Sequence, residues 1–365
     1  MKQLLFFLCF SFFYSFSQKN TSNYFDAQVL RGNIYKHRND IAHLISGHPD
    51  GFLLSYNWKT YGKKEWHQAY NYPDYGISYQ YIDFKNQYLG VNHALGAHYN
   101  FYFFNRQLIF RVSQGIGITS SPYDKVKNNK NNAFGSKLMD NTYFLVQYKK
   151  ENILENLGIQ AGFLLTHFSN GRIKAPNSGI NTFAFTLGLN YGGPEKQKIK
   201  ADSLPTAASY AENLKYNIAF RTGLSEGPVP HLGQRQFYHF GVYADKRIGR
   251  KSALQFGADL FFSRYLQDYI RYVSVAFPEG HESYAKSNTD YRRIGLFVGH
   301  ELIINKLAIE TQLGYYVYKP FDYEIDGYQR LVFKYYFNKT LFTGLGIKTH
   351  NVRAEAIEAS IGVRL

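Results

Sequence analysis

From Tyr24 to the C-terminus the chain keeps returning to a period of two, with a large apolar side chain at every second position and polar or small ones between. Leu254, Phe256, Ala258, Leu260 and Phe262 alternate with Gln255, Gly257 and Asp259. Leu307, Ile309, Thr311, Leu313, Tyr315 and Val317 alternate with Glu310, Gln312 and Gly314. Ile294, Leu296 and Val298 face away from Arg293, Gly295 and Gly299. The last run sets Ile357, Ala359, Ile361, Val363 and Leu365 against Glu358, Ser360 and Arg364. Successive side chains of an extended strand point to opposite faces. Each run therefore describes a strand with one apolar and one polar face, as in a wall between lipid and a polar interior. A soluble sandwich shows the same alternation, but it needs a partner sheet over all that apolar surface.

Composition favours the wall. The chain holds 33 Tyr and 31 Phe, and its 18% aromatic content suits girdles at two membrane interfaces. Beyond the N-terminus no apolar run approaches the ~20 residues of a transmembrane helix. The mean hydropathy of −0.37 is compatible with a barrel, whose lipid-facing and interior residues average out. The net charge of +15 has two readings: a solubilising surface, or attraction to an anionic surface such as the phosphates of lipopolysaccharide. Nucleic acid is not expected as a partner, since no nucleic-acid-binding motif is present. At the N-terminus Lys2, the apolar stretch from Leu4 to Phe13 and the small residues Ser15 and Ser17 read as a signal peptide over 1–17, with Gln18 the expected mature start. Cys9 is the single cysteine and lies in that segment, so the mature chain is expected to have no disulfide and no thiolate metal site.

The pattern predicts an all-β, antiparallel transmembrane barrel of the outer-membrane type with about 14–16 strands. The candidates are 24–36, 51–59, 75–84, 89–104, 107–120, 142–151, 157–170, 180–193, 215–225, 237–248, 253–266, 291–304, 307–319, 328–338, 341–350 and 355–365. Short turns fall at Asn105-Arg106, Ile248 to Lys251, Asn305-Lys306 and Asn338-Lys339, and long polar loops at 121–141, 267–290 and 320–327. With short turns periplasmic and long loops external, the 171–179 turn lies on the outer side. Residues 194–214 are a long polar connection where a short turn is expected. Either one larger barrel carries an insertion there, which is favoured because tandem barrels are uncommon, or an eight-stranded barrel over 18–193 is followed by a second β unit.

Chemistry concentrates at 167–181. His167 and Ser169 are two residues apart on one strand, so they project from the same face as Phe163 and Leu165. Asn181 shares a face with Phe183, Phe185, Leu187 and Leu189 on the next strand. Alternation thus brings three polar side chains to the lipid side near the outer rim, a costly placement unless they bond one another. The residue types suit acyl-ester hydrolysis: a serine hydroxyl needs a base to become a nucleophile, and a histidine can supply it. Asn181 can orient the imidazole. The Asn170 side chain and the N–H groups of Gly171 and Arg172 are close enough in sequence to stabilise an oxyanion. Gly171 and Gly179 permit a tight rim turn, and Arg172 and Lys174 could hold lipid phosphates.

Residues 167–181, His-Phe-Ser-Asn-Gly-Arg-Ile-Lys-Ala-Pro-Asn-Ser-Gly-Ile-Asn, resemble the active-site strand and turn of the outer-membrane lipid A 3-O-deacylases, the PagL type often labelled acyloxyacyl hydrolase. The resemblance implies a small eight-stranded barrel with a lipid-facing Ser–His–acid triad, no cofactor, and removal of an ester-linked acyl chain from lipid A in the outer leaflet. It maps the nucleophile to Ser169, the base to His167 and an oxyanion contact to Asn170. By strand count the deacylase-like part extends over 18–193, leaving 215–365 without a counterpart in the small barrel. The family's acid, a glutamate in its best-known members, falls on Asn181, and no Asp or Glu occurs between Glu155 and Glu195. A replacement acid would have to come from another strand.

Other features point elsewhere more weakly. His43 and His48 lack the carboxylate spacing of a metal site and read as loop residues. Glu310, Glu358, Arg293 and Arg364 read as interior charges, solvated or salt-bridged. The competing function is a non-enzymatic barrel, porin-like or structural, because a wall of roughly 16 strands can enclose an aqueous channel. A catalytically inactive relative serving as an adhesin is a third reading. The sequence leaves the oligomeric state open.

Overall fold

A computed structural model describes residues 23–192, 212–351 and 353–365. The expected signal peptide and residues 194–211 of the expected connection lie outside the described residues. Sixteen strands follow one another: β1 Asn23–Tyr35, β2 Asp50–Trp58, β3 Asp74–Asp83, β4 Val91–Phe103, β5 Leu108–Thr119, β6 Leu138–Leu154, β7 Leu157–Ser169, β8 Ile180–Gly192, β9 Lys215–Glu226, β10 Gln234–Arg247, β11 Ser252–Phe262, β12 Arg293–Ile304, β13 Leu307–Tyr318, β14 Gly327–Tyr336, β15 Leu341–His350 and β16 Arg353–Arg364. Every one overlaps a strand expected from alternation.

These strands close twice. β1 to β8 form one antiparallel barrel and β9 to β16 a second. β8 returns to β1, from Tyr24 opposite Gly192 to Tyr35 opposite Asn181. β16 returns to β9, from Ala359 opposite Thr222 to Arg364 opposite Asn217. The preference for a single larger barrel is thus corrected in favour of the alternative. The reason is edge pairing: β1 has β8 as its partner, so neither edge is left to join the next eight strands, and an unpaired edge in hydrocarbon is prohibitively costly.

Both barrels begin and end beside short turns such as Asn305-Lys306, an end that also carries the 59–73 connection, while 36–49, 120–137, 170–179 and 263–292 lie at the other end. One outer connection contains a helix that polarity concealed, α2 (Tyr265–Ala276), after the one-turn α1 (Glu65–Ala69) at the opposite end. Tyr265, Leu266, Ile270 and Val273 line the buried face of α2, and Phe321 packs with them.

Alternation is realised side chain by side chain. Leu254, Phe256, Leu313, Tyr315 and Ile361 are exposed on the outer walls. Gln255, Asp259, Glu310, Gln312 and Glu358 are buried inside. Eight strands leave an interior just wide enough for side chains to fill, and here charge pairs fill it. In the first barrel Arg111 reaches Asp26 at 2.8 Å, Ser55 at 2.7 Å and Asn100 at 2.6 Å. In the second, Arg330 bridges Asp259 and Glu358 at 2.7 Å each, and Lys334 bridges Glu301 at 3.0 Å and Glu310 at 2.9 Å. Arg293 and Lys348 both pair with Glu355, and Arg364 with Asp245 at 2.7 Å. The interior charges named here are buried and paired with one another, as in a ring too narrow for a porin-like bore.

Breaking one partner of such a pair leaves the other charge buried and uncompensated, at a cost of about 3–5 kcal/mol. Arg111→Met is therefore expected to lower the urea midpoint at which the folded gel-mobility form is lost. In planar bilayers the intact chain is expected to show no porin-scale conductance.

Candidate active site

β7 and β8 run side by side with His167 opposite Asn181, and β6 lies on the other flank with Asp140 opposite Ser169 and Thr142 opposite His167. The lower part of this outer wall is apolar: Phe163 is 54% exposed and Phe183 52%. At the outer rim the same faces turn polar, with Gln114, Asp140, Thr142, His167, Ser169 and Asn181 together. Phe168 and Thr166 point inward and are fully buried, which fixes the outward direction of His167 and Ser169.

His167 Nδ1 lies 2.6 Å from Asn181 Oδ1. With Nδ1–H donating to that oxygen, Nε2 keeps its lone pair. Asn181 is thus in hydrogen-bond contact with the imidazole. Gly179 sits over the pair. Its φ is +67°, and a Cβ built on it would lie 2.9 Å from His167 Cε1 and 3.2 Å from Ser169 Cβ. Glycine here satisfies the backbone angle and also leaves the space between imidazole and hydroxyl open. Ser169 is 5% exposed, and among the described residues its hydroxyl is bonded neither to His167 nor to any other group.

The turn after Ser169 is a tight one: Ile173 N–H donates to Asn170 O at 3.1 Å, and Gly171 and Arg172 both have positive φ, +58° and +67°. That is the two-residue hairpin type in which both central residues are left-handed. The three expected oxyanion donors fare differently. Asn170 Nδ2 donates to Ser136 Oγ at 3.0 Å and to Lys174 O at 2.8 Å, so its side chain braces the turn. Arg172 N–H donates to Asn170 Oδ1 at 3.0 Å. Among the described residues, Gly171 N–H is the one of the three without a partner in the protein. A donor that sequence reading missed is Asn177. Its Oδ1 accepts Asn170 N–H at 2.8 Å, which leaves Nδ2 available.

Arg172 does not face the headgroups, contrary to expectation. Its guanidinium turns into the second barrel, 3.1 Å from Glu226 O, 3.1 Å from Tyr323 Oη and 3.3 Å from Glu324 Oε1, and lies over the Tyr265 ring. Burial opposes its charge, but Tyr265, Tyr323 and Glu324 outweigh burial and hold its proton more firmly than usual. Burial raises the Glu324 carboxyl, with Arg172 pulling the other way. Lys174 is exposed.

Asp140 was also missed, because only strand register brings it opposite Ser169. Its carboxylate accepts from Gln114 Nε2, and Thr142 Oγ1 lies 3.1 Å from it. His43 and His48 bond Lys130 O at 2.7 Å and Asn33 Oδ1 at 2.6 Å, as loop residues do. A second Ser–His–Glu sequence of contacts occurs inside the other barrel, where Ser263 Oγ is 3.0 Å from His239 Nε2 and His239 Nδ1 is 2.6 Å from Glu358 Oε1. It is sealed, and Ser263 also contacts Arg293 at 2.9 Å, so it belongs to the interior charge network.

An imidazole bonded to an amide thus lies beside a serine on the outer wall of a closed barrel, groups of the kind that ester hydrolysis uses. Family models specify it further: residues 50–190 match lipid A 3-O-deacylase (PagL), and residues 214–365 match the acyloxyacyl hydrolase C-terminal domain. The chain belongs to this lipid A deacylase family and is an ester-hydrolysing enzyme of the bacterial outer membrane. The second barrel, without a counterpart in the small deacylase, is the family's C-terminal domain. No curated protein matches the chain. Similar solved structures include Omp33 of Acinetobacter baumannii, 11% identical over 93% of this chain and 95% of that one, TM-score 0.16. OccAB3 of the same organism is 11% identical over 94% and 98%, TM-score 0.20. A mutant Rh. blastica porin is 8% identical over 94% and 98%, TM-score 0.19. Likenesses of that size carry no argument about this chain.

Gly179→Ala places a methyl against His167 and Ser169 and forces a left-handed alanine, costing roughly 1 kcal/mol. Deacylation is expected to fall by more than tenfold while the folded gel-mobility form persists, as mass spectrometry of lipid A from expressing cells would register.

Proposed function

We propose that this lipid A deacylase uses Ser169 as nucleophile and His167 as base. The observation that carries the reading is the 2.6 Å contact between His167 Nδ1 and Asn181 Oδ1 on the lipid-facing wall. It fixes the tautomer in which Nε2 can accept the Ser169 proton. The hydroxyl oxygen attacks the ester carbonyl of an acyl chain lying along the wall. Its proton passes to Nε2 and then to the departing sugar oxygen, leaving an acyl-serine that water hydrolyses with the imidazole again as base. Gly171 N–H and Asn177 Nδ2 are the donors free to meet the oxyanion, with Asn170 holding their turn. Lys174 is placed to pair with a phosphate of the same lipid.

An asparagine orients an imidazole but does not stabilise its cation as a carboxylate does. Asp140 on β6 lies on the same face, opposite Ser169 in register, and is bonded by Gln114 and Thr142.

Mass spectrometry of lipid A from cells expressing the chain is expected to show loss of one ester-linked acyl group. Ser169→Ala and His167→Ala should each restore the parent species. Asn181→Ala is expected to lower the rate by about 10- to 100-fold through loss of ring orientation. Parent-like lipid A with the wild-type chain, or unchanged deacylation by Ser169→Ala, would sink the assignment.

A further inference from the structure

The later half of the active-site turn is held by its own barrel and the earlier half by both, Asn170 donating to Lys174 O and accepting from Arg172 N–H. In the later half Ser178 N–H donates to Asn132 O and Gly179 N–H to Ala133 O, both at 3.1 Å, and Ser178 Oγ reaches Asp40 Oδ2 at 2.7 Å. The earlier half, 171–175, is also held from the second barrel. Ala175 N–H donates to Glu226 Oε2 at 2.7 Å, Glu226 N–H donates to Arg172 O at 3.0 Å, and Gln234 Nε2 donates to Ile173 O at 2.8 Å. A Cβ at Gly171 would lie 2.2 Å from the Ile357 side chain of β16, so the second barrel's wall abuts the turn directly.

We propose that the second barrel is the positioning scaffold of the catalytic turn and that Glu226 is its positioning residue. This rests on the reading of 167–181 as the catalytic segment. Arg172 is a non-glycine residue with φ of +67°, a conformation that costs free energy and persists where surrounding structure over-determines it. The determinants are the Asn170 contacts to Arg172 N–H and Lys174 O from within the barrel and, from the second barrel, those three hydrogen bonds together with the Arg172 side chain on Glu226 O, Tyr323 and Glu324. Glu226 sits at the last residue of β9 and is 3% exposed. Its second oxygen accepts His231 N–H at 3.0 Å, so the β9–β10 loop fixes the carboxylate, and the carboxylate fixes the turn. The turn presents Gly171 N–H, the donor left free for the oxyanion. A misplacement of about 1 Å at such a donor is enough to cost ~100-fold in rate. Glu226 touches no reacting atom; it acts through the backbone of residues 172–175.

The test uses the full chain in detergent with lipid A, following kcat and KM separately. Trypsin cleavage after Lys174 serves as a readout that needs no activity. Glu226→Ala is expected to lower kcat about 10- to 100-fold with KM within about twofold, and to speed that cleavage. Glu226→Gln keeps an oxygen for Ala175 N–H and is expected to recover kcat to within several-fold of wild type. Gln234 is exposed, so Gln234→Ala folds regardless and is expected to lower kcat about two- to fivefold. Arg292→Ala, an exposed residue of the same barrel whose side chain pairs with Asp290, should leave kcat, KM and cleavage unchanged. Wild-type kcat and cleavage in Gln234→Ala, together with either wild-type values or misfolding in Glu226→Ala, overturn the proposal. Faster cleavage in the Glu226 and Gln234 variants of a chain with no Ser169-dependent deacylation would instead uphold the scaffold and refute the catalytic reading.

Discussion

Hydrocarbon offers no water to a strand's N–H and C=O groups, so each edge must find another edge. In this chain that requirement is met after eight strands and again after sixteen. Most of the remaining architecture follows from it. A ring of eight is narrow, so polar interior faces are forced into contact and must neutralise one another, as Arg111 does with Asp26 and Arg330 with Asp259 and Glu358. The outside of each ring faces acyl chains and is apolar except where something compensates.

The exception is the rim of β5 to β8. Its polar groups satisfy one another laterally: Asn181 with His167, Gln114 and Thr142 with Asp140. That mutual pairing lowers the cost of a polar patch beside lipid and sets the imidazole's tautomer. Among the described residues the Ser169 hydroxyl stands outside that network. Family membership supplies the substrate class, and the geometry supplies a reason for a lipid substrate, since the patch opens onto acyl chains and not onto an aqueous lumen.

Much of this was legible along the chain because it is local. Alternation at Leu254–Phe262 or Leu307–Val317 marks a strand whatever its partner, so all sixteen strands could be read. Where the ring closes is not local: β8 carries the same pattern whether it pairs with β1 or with β9, and nothing in its residues distinguishes the two. Helix α2 was hidden because its apolar face is embedded in a polar stretch of the same loop. At the site, the motif from His167 to Asn181 spans two neighbouring strands and could be read directly. Asp140 needed the register of β6 against β7. The direction of Arg172 needed Glu226 and Glu324, which lie far along the chain in the other barrel, so it was expected at the lipid surface and lies at the seam.

The filled interiors bear on traffic as well as on stability. Hydrolysis consumes a water molecule for every ester cut. Arg111 with Asp26 stands across the first interior and Lys334 with Glu301 and Glu310 across the second, so among the described residues neither barrel holds an open conduit. The reactant has to descend from the hydrated sugar layer past the exposed rim lysine at 174.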